Sequence, residues 1–515
     1  MTLICSKGFI PTRFLIAVMI FSACFVTYTV RINISINLIA MVESTRTNAI
    51  TFESECVVIN RKNNTHNLEN SEPPKLTSTS DYGVRYNWDS NIQSLILGSY
   101  FWGYTITCIP GGILAEKIGP TRTVMMASLI SGFLTFIDPF VASWNYIAFI
   151  LTRFLIGMCG GVVYPCFQCL ISHWAPPEEK GKFVSVLLGG SAGTVVTWPV
   201  LSIIIENLGW SWSFFLNGGF VIIWSILWIL LVSDSPETHP RISEAEKVYI
   251  VNSLGTSIKQ TKKLPPYKEI ACSVPFWALI ILHFGSIWGL YFLLTYGPKF
   301  LSSVLGFNLG HTGVLAALPY LIRLIVGFIS AHIGDLIRKR KIVSTVIVRK
   351  CFILFSHIVP GILLLVLILV KCDLTWSIAI LILSLGSNGT STVTNLQNSQ
   401  DLAPNYAGSL YGIVNCIGAT AGFITPVIVG QLTAVNNGLH EWHIMFGITA
   451  TVYIVSGLVF YIFGSADIQV WNEEEKIENS WKDGIPNLGF DNIDDTTLKI
   501  EDKAKESTNG GIGMY

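Results

Sequence analysis

Three arginines, Arg31, Arg153 and Arg323, stand inside long apolar runs of this 515-residue sequence. Guanidinium stays charged at every accessible pH and presents five N–H donors in a planar fork that fits a carboxylate or a phosphate. At the centre of a bilayer such a charge costs about 3 kcal/mol on insertion scales, and without an acid at the same depth its natural counter-charge is a bound anion. Asp138 and Glu206 fall near helix ends, where water is expected to reach them. The chemistry expected is therefore ionic recognition of a small solute. No hydrolytic triad, phosphate-binding glycine loop or metal cluster is legible, so neither an enzyme nor a bound cofactor is expected, apart from a coupling ion.

Helical spacing gathers polar side chains around these cations. Thr27 and Ser35 flank Arg31 at four-residue intervals, on one face. Arg153, Gly157, Gly160 or Gly161, Tyr164 and Gln168 make a second narrow stripe, and Asn388, Ser391 or Thr392, Asn395 and Asn398 a third. Tyr100, Trp102, Tyr104, Trp288 and Tyr291 either line a cavity or only pack. Each feature has a plainer alternative. Arg153, nearer a helix end, can snorkel to headgroups, and Arg323 can pair with a backbone carbonyl or a lipid phosphate instead of a ligand. The glycines fit close helix packing better than solute contact. His357 is expected to be a neutral hydrogen-bonding residue, whereas His283, in the polar run His283 to Ser286, is a candidate for ion coupling.

The elements that must position these residues follow from composition. About half the residues (51%) are apolar and 13% charged, against roughly a quarter charged in soluble domains. Net charge is zero, which gives no field for nucleic acid. A bilayer core of about 30 Å needs roughly 20 apolar residues per helix, and twelve windows qualify: 14–41, 90–113, 120–141, 146–171, 183–206, 213–233, 272–298, 311–333, 346–370, 375–399, 407–432 and 441–464. Only helices or closed barrels satisfy backbone groups in lipid, so the fold class is an all-α membrane protein of two six-helix bundles. The first window is too long and too polar for a cleavable leader.

Lys and Arg concentrate in alternate short loops, at Lys117 and Arg122, Lys180 and Lys182, and Arg338 to Lys341. The positive-inside rule makes these loops cytosolic. The expected organisation is a cytosolic N-terminus at 1–13, a bundle at 14–233 with an exofacial loop at 42–89, a cytosolic linker at 234–271, a second bundle at 272–464 and a disordered tail at 465–515. Asn63-Asn64-Thr65 in the exofacial loop is a glycosylation sequon. The eleven cysteines form no evident framework, although Cys56 and Cys372 lie outside the cytosol and could pair. The halves repeat one loop chemistry, an acid beside cations at a helix end: Glu116 with Lys117 and Arg122, and Asp335 with Arg338. These four residues are expected to gate.

Gly112 to Arg122 resembles the loop signature of the major facilitator superfamily, with Glu116 where Asp is usual. Phe101-Trp102-Gly103-Tyr104, Ile109-Pro110-Gly111-Gly112, Trp174-Ala175-Pro176-Pro177-Glu178, His239-Pro240-Arg241-Ile242-Ser243 and Asp401 to Ala407 resemble the anion-transporter family that includes sialin, the vesicular glutamate transporters and the sodium-phosphate cotransporters. The resemblance covers residues 14 to 464. It implies a twelve-helix alternating-access carrier of organic or inorganic anions coupled to protons or sodium, with Arg31 and Arg153 at substrate-engaging positions. Gly160 and Gln168 depart from an acid and a histidine that relatives link to proton coupling, and Ser286 departs from an arginine of the glutamate branch.

The substrate site is thus expected to draw on Arg31, Arg153, Ser35, Tyr100, Tyr104, Tyr164, Gln168 and Arg323. Sodium held by neutral oxygens such as those of Asn395 and Asn398 is favoured as coupling ion, with a proton at His283 as the alternative. A receptor that kept the fold and lost transport is a further alternative, against which the retained Arg31 and Arg153 count. A monomer in the plasma membrane is expected, since neither tail shows an acidic dileucine signal.

Overall fold

The computed structural model describes residues 11–42, 56, 82–176, 179–254, 265–340, 342–370, 372–434 and 438–472, without the side chains of Glu116 and Lys180. Asn63 and the tail after Asn472 lie outside the described residues. Among the described residues, besides the short linker helices Glu244–Leu254 and Tyr267–Ala271, twelve helical segments follow one another: α1 Thr12–Met41, α2 Ser90–Lys117, α3 Pro120–Trp144, α4 Tyr146–Trp174, α5 Gly181–Leu208, α6 Trp210–Leu231, α7 Val274–Val304, α8 Leu309–Lys339, α9 Thr345–Val370, α10 in pieces from Leu374–Asn388 to Asn395–Leu402, α11 Pro404–Leu432 and α12 Leu439–Phe463. Among the described residues there is no strand, only a bridge between Val42 and Tyr86. All-α architecture is what the apolar windows require.

Ten of these helices are long and apolar enough to cross a membrane. The others differ for physical reasons. α2 dilutes its apolar residues with Gly, Ser, Thr and aromatic residues, and α10 is interrupted by a 3-10 turn at Gly389–Thr392. Boundaries follow local chemistry. Asp89, Asn145, Asn308 and Asp373 cap helix N-termini by accepting from the backbone N–H of Ile92, Ile147, His311 and Trp376. Gly119 adopts φ 99°, and Pro120 then opens α3. Asp234, at the end of the first half, accepts from Thr121 N at 2.8 Å and holds that turn.

Lipid tails provide no hydrophobic drive between helices, so close packing of small residues matters. A Cβ at Gly103, Gly157 or Gly161 would fall on the backbone carbonyl of Phe154, Tyr100 or Tyr104, so α2 and α4 touch backbone to backbone. Gly132 and Gly218 do the same for α3 and α6. The two halves meet through α1 with α7, α2 with α11, α4 with α11 and α5 with α8. The linker helix Glu244–Leu254 returns to the start of the chain: Glu246 accepts from Thr12 N and Arg13 N at 2.9 and 3.1 Å, a carboxylate at a helix N-terminus.

The pairing that the sequence leaves open is made. Cys56 and Cys372 are disulfide-bonded. The bond joins the segment after α1 to the connection between α9 and α10, so the two halves are covalently linked outside the backbone.

Candidate functional site

Arg31 is only 4% exposed, and its guanidinium carbon lies 4.7 to 5.6 Å from the ring centroids of Tyr28, Tyr100, Phe101, Tyr104 and Tyr291. The ring faces stabilise the cation without neutralising it. Nη1 donates to the Tyr291 hydroxyl at 2.9 Å, while Nε and Nη2 make no hydrogen bond among the described residues. Buried donors left over in this way are costly unless a ligand takes them. A cavity of about 10 Å³ adjoins Arg31, lined also by Ser35, Leu97, Tyr100, Phe101 and Thr295. That is room for about one water, so Arg31 is tightly enclosed in this conformation. Ser35 is occupied on both sides, donating to Ile32 O and accepting from Trp198 Nε1.

Arg153 departs from the sequence expectation. It is not an unpaired cation, nor does it snorkel: it is fully buried, and Nη1 faces Asp138 Oδ2 at 3.7 Å. Asp138 is likewise fully buried rather than reached by water, and Thr152 donates to its Oδ1 at 2.7 Å. Arg153 Nη2 also donates to Val30 O at 3.4 Å and Arg31 O at 3.3 Å, so it grips the turn of α1 that carries Arg31. Arg153 thereby fixes the backbone that carries Arg31.

Arg323 takes a third arrangement, donating from Nε to Asn388 Oδ1 at 3.3 Å and from Nη1 across the halves to Ser191 Oγ at 2.6 Å. Both of these bonds go to side chains. Tyr104 and Gln168 join the same central seam: the Tyr104 hydroxyl accepts from Asn415 at 2.8 Å and Gln168 from Gln400 at 2.9 Å. Gln168 is thereby a contact between halves and stands apart from the ring cage of Arg31. Tyr164 is also outside that cage, packed against Phe167 and hydrogen-bonded with Cys24.

The third stripe does not survive as a face, because the 3-10 turn and the following Thr394 turn rotate its residues apart. Asn388 meets Arg323, Ser286 and Ser356. Asn395 donates to His283 Nδ1 at 2.8 Å, and Asn398 to Ser465 O at 2.8 Å. Asn395 and Asn398 therefore do not converge on one cation. The Asn415 side chain is a second hydrogen-bonding neighbour of the His283 ring. His357 donates from Nε2 to Leu282 O and accepts from Ser356, the neutral pattern expected of it.

Of the gating residues, Asp335 packs against the start of α5, where a Cβ at Gly181 would overlap its carboxylate. Arg338 is half-buried on the same helix end and Arg122 is exposed. Glu116 lies in α2, its side chain outside the described set. Sequence reasoning missed a fourth buried cation, Arg349, which donates to Asp401 Oδ2 at 2.8 Å and Val393 O at 2.6 Å and ties α9 to the broken α10. For Asp138 it expected access to water, which its full burial contradicts. Tyr28 was findable, being three residues before Arg31 on one helix face.

A bundle of helices of membrane-spanning length around a buried cationic centre is what this geometry defines. The sequence profile of the Major Facilitator Superfamily matches residues 16–426. Sialin of Homo sapiens is 35% identical over 460 residues, covering 89% of this chain and 90% of that protein. Vesicular glutamate transporter 3 of Danio rerio is 36% identical, covering 81% and 71%. Among solved structures, a D-xylose-proton symporter (TM-score 0.57, 14% identical, 88% and 98% covered) and a bacterial homolog of human Spinster (TM-score 0.56, 13% identical, 88% and 97% covered) share the fold. The chain belongs to the major facilitator superfamily and, within it, to the anion:cation symporter family of sialin and the vesicular glutamate transporters. It is a multi-pass membrane transporter, not an enzyme.

Proposed function

We propose that the protein is a secondary active transporter of a small organic anion bearing a carboxylate, moved by alternating access with Arg31 as the group that binds it. The observation that carries this is the pair of unsatisfied donors on a buried cation inside a ring of aromatic faces. Two N–H groups match a carboxylate, and ring walls suit a solute with a carbon body better than a compact, strongly hydrated phosphate. The names of the relatives, sialin and vesicular glutamate transporter, support an organic anion.

Uptake of an anion against an inside-negative potential costs about 2.3 kcal/mol per charge per 100 mV, so coupled cations must drive it. Sodium is favoured by Gly160 and Gln168, which stand where proton-coupled relatives have an acid and a histidine, and the buried Asp138 supports a proton instead; Asn395 and Asn398 bond to different partners and lend sodium no joint support. The protein acts as a monomer, and the absence of an acidic dileucine signal favours the plasma membrane; the vesicular relatives make an intracellular vesicle the alternative. The test is flux of labelled N-acetylneuraminate, L-glutamate and inorganic phosphate into proteoliposomes under separately imposed sodium and proton gradients. Carriage of phosphate alone would refute the carboxylate reading, and phosphate is the alternative it would establish.

A further inference from the structure

Asp138 is the one fully buried acid among the described residues. It lies on α3 six residues before the helix ends at Trp144. Its two oxygens are unequal. Oδ1 accepts the Thr152 hydroxyl at 2.7 Å, whereas Oδ2 faces Arg153 Nη1 at 3.7 Å and has no hydrogen-bond partner. That distance exceeds the roughly 2.7–3.2 Å of an N–H···O bond, so the carboxylate is paired by charge but not satisfied by it. A desolvated carboxylate in that position is costly, and adding a proton to Oδ2 relieves the cost.

The same pair is mechanically placed. Arg153 is held between Asp138 on α3, the carbonyls of Val30 and Arg31 on α1, and the Tyr100 ring of α2 at 5.9 Å. A charge change at Asp138 therefore reaches the turn bearing Arg31 through one side chain. The surroundings contain few rivals. α6, packed on the other side of α3, has no titratable residue in Trp210–Leu231. α1 and α2 bring Arg31, Tyr28 and Tyr100 to the far side of Arg153. On α4, Cys159 lies by Ser131, about 10 Å along α3 from Asp138, and Arg122 is about 24 Å away at the start of α3.

We propose that Asp138 is the proton-binding group of this transporter: in a conformation open to water its carboxylate takes one proton from the bulk on Oδ2, becomes neutral and releases Arg153 from the ion pair. Oδ1 keeps the Thr152 bond, and no other bond is broken. Arg153 is then held by the α1 carbonyls and the Tyr100 ring, which links proton occupancy to the placement of Arg31. This rests on the transporter reading above.

The test uses full-length protein in phosphatidylcholine vesicles. Infrared difference spectra between alkaline and acidic buffer are expected to show a protonated-carboxyl band in the wild type that is missing in Asp138→Asn and present in Asp138→Glu. Thr152→Val, which removes a donor to the carboxylate, is expected to move the midpoint of that band to higher pH. In flux assays with the three labelled anions, an inward proton gradient is expected to stimulate uptake by wild type and by Asp138→Glu but not by Asp138→Asn. An identical band in Asp138→Asn, or equal stimulation of wild type and Asp138→Asn, overturns the proposal. If the band depends on Asp138 while the wild type carries none of the anions, the substrate reading fails and the proton site stands.

Discussion

Arg31 of the first half donates to the Tyr291 hydroxyl of the second at 2.9 Å, and Asn415 of the second donates to Tyr104 of the first at 2.8 Å. The closed state is thus fastened by hydrogen bonds made by the cage itself. Tyr291→Phe removes a bond to a charged group, worth about 1.5–3 kcal/mol, and shifts the population toward open conformers. Cys108, buried beside Asn415, is then expected to react faster with a thiol reagent, read peptide by peptide by mass spectrometry. An unchanged rate would show that the bond does not hold the closed state.

The contact of α2 with α4 leaves no room for a methyl group at Gly157, where a Cβ would sit on the Tyr100 carbonyl. Gly157→Ala is expected to cost about 1–3 kcal/mol as overpacking and to lower the thermal midpoint. Gly219→Ala on α6 meets nothing within 4 Å, and is expected to leave the midpoint unchanged or slightly raised. Equal loss in both variants would contradict this packing.

The disulfide between Cys56 and Cys372 predicts a simple gel. With a protease site placed between Gly255 and Leu264, cleaved protein is expected to run as one band without reductant and as two with it. Cys372→Ser is expected to give two bands under both conditions. Two bands from the cleaved, unreduced wild type would exclude the bond.

The positive-inside reading places residues 42–89 outside the cytosol, and Asn63 is expected to carry a glycan. Glycosidase treatment of protein from insect or mammalian cells is expected to shift the wild type and not Asn63→Gln. Equal mobility of the two before treatment would count against glycosylation.

The sequence made the helices and Arg31 legible for the same reason: a charge inside an apolar run stands out by composition, and long apolar runs in lipid have few alternatives. Arg153 was found but misread, because its partner Asp138 sits on another helix near its end, and sequence position says nothing about which neighbour covers it. Asn395 and Asn398 face different partners for a local reason. Their spacing suits one helical face only if the helix is continuous, and the turn at Gly389–Thr392 breaks it. Cross-half pairs such as Gln168 with Gln400 are tertiary facts without any periodic signal.

The central claim is that Arg31 binds the solute, and the most direct measurement is saturable uptake of whichever labelled anion the wild type carries, in Arg31→Ala and Arg31→Lys at matched surface abundance. Arg31→Ala is expected to abolish uptake. Arg31→Lys keeps the charge but loses the fork, so its apparent affinity is expected to fall about tenfold or more, in line with roughly 1.5–3 kcal/mol for a charge-assisted bond. Wild-type affinity in Arg31→Ala would contradict the account.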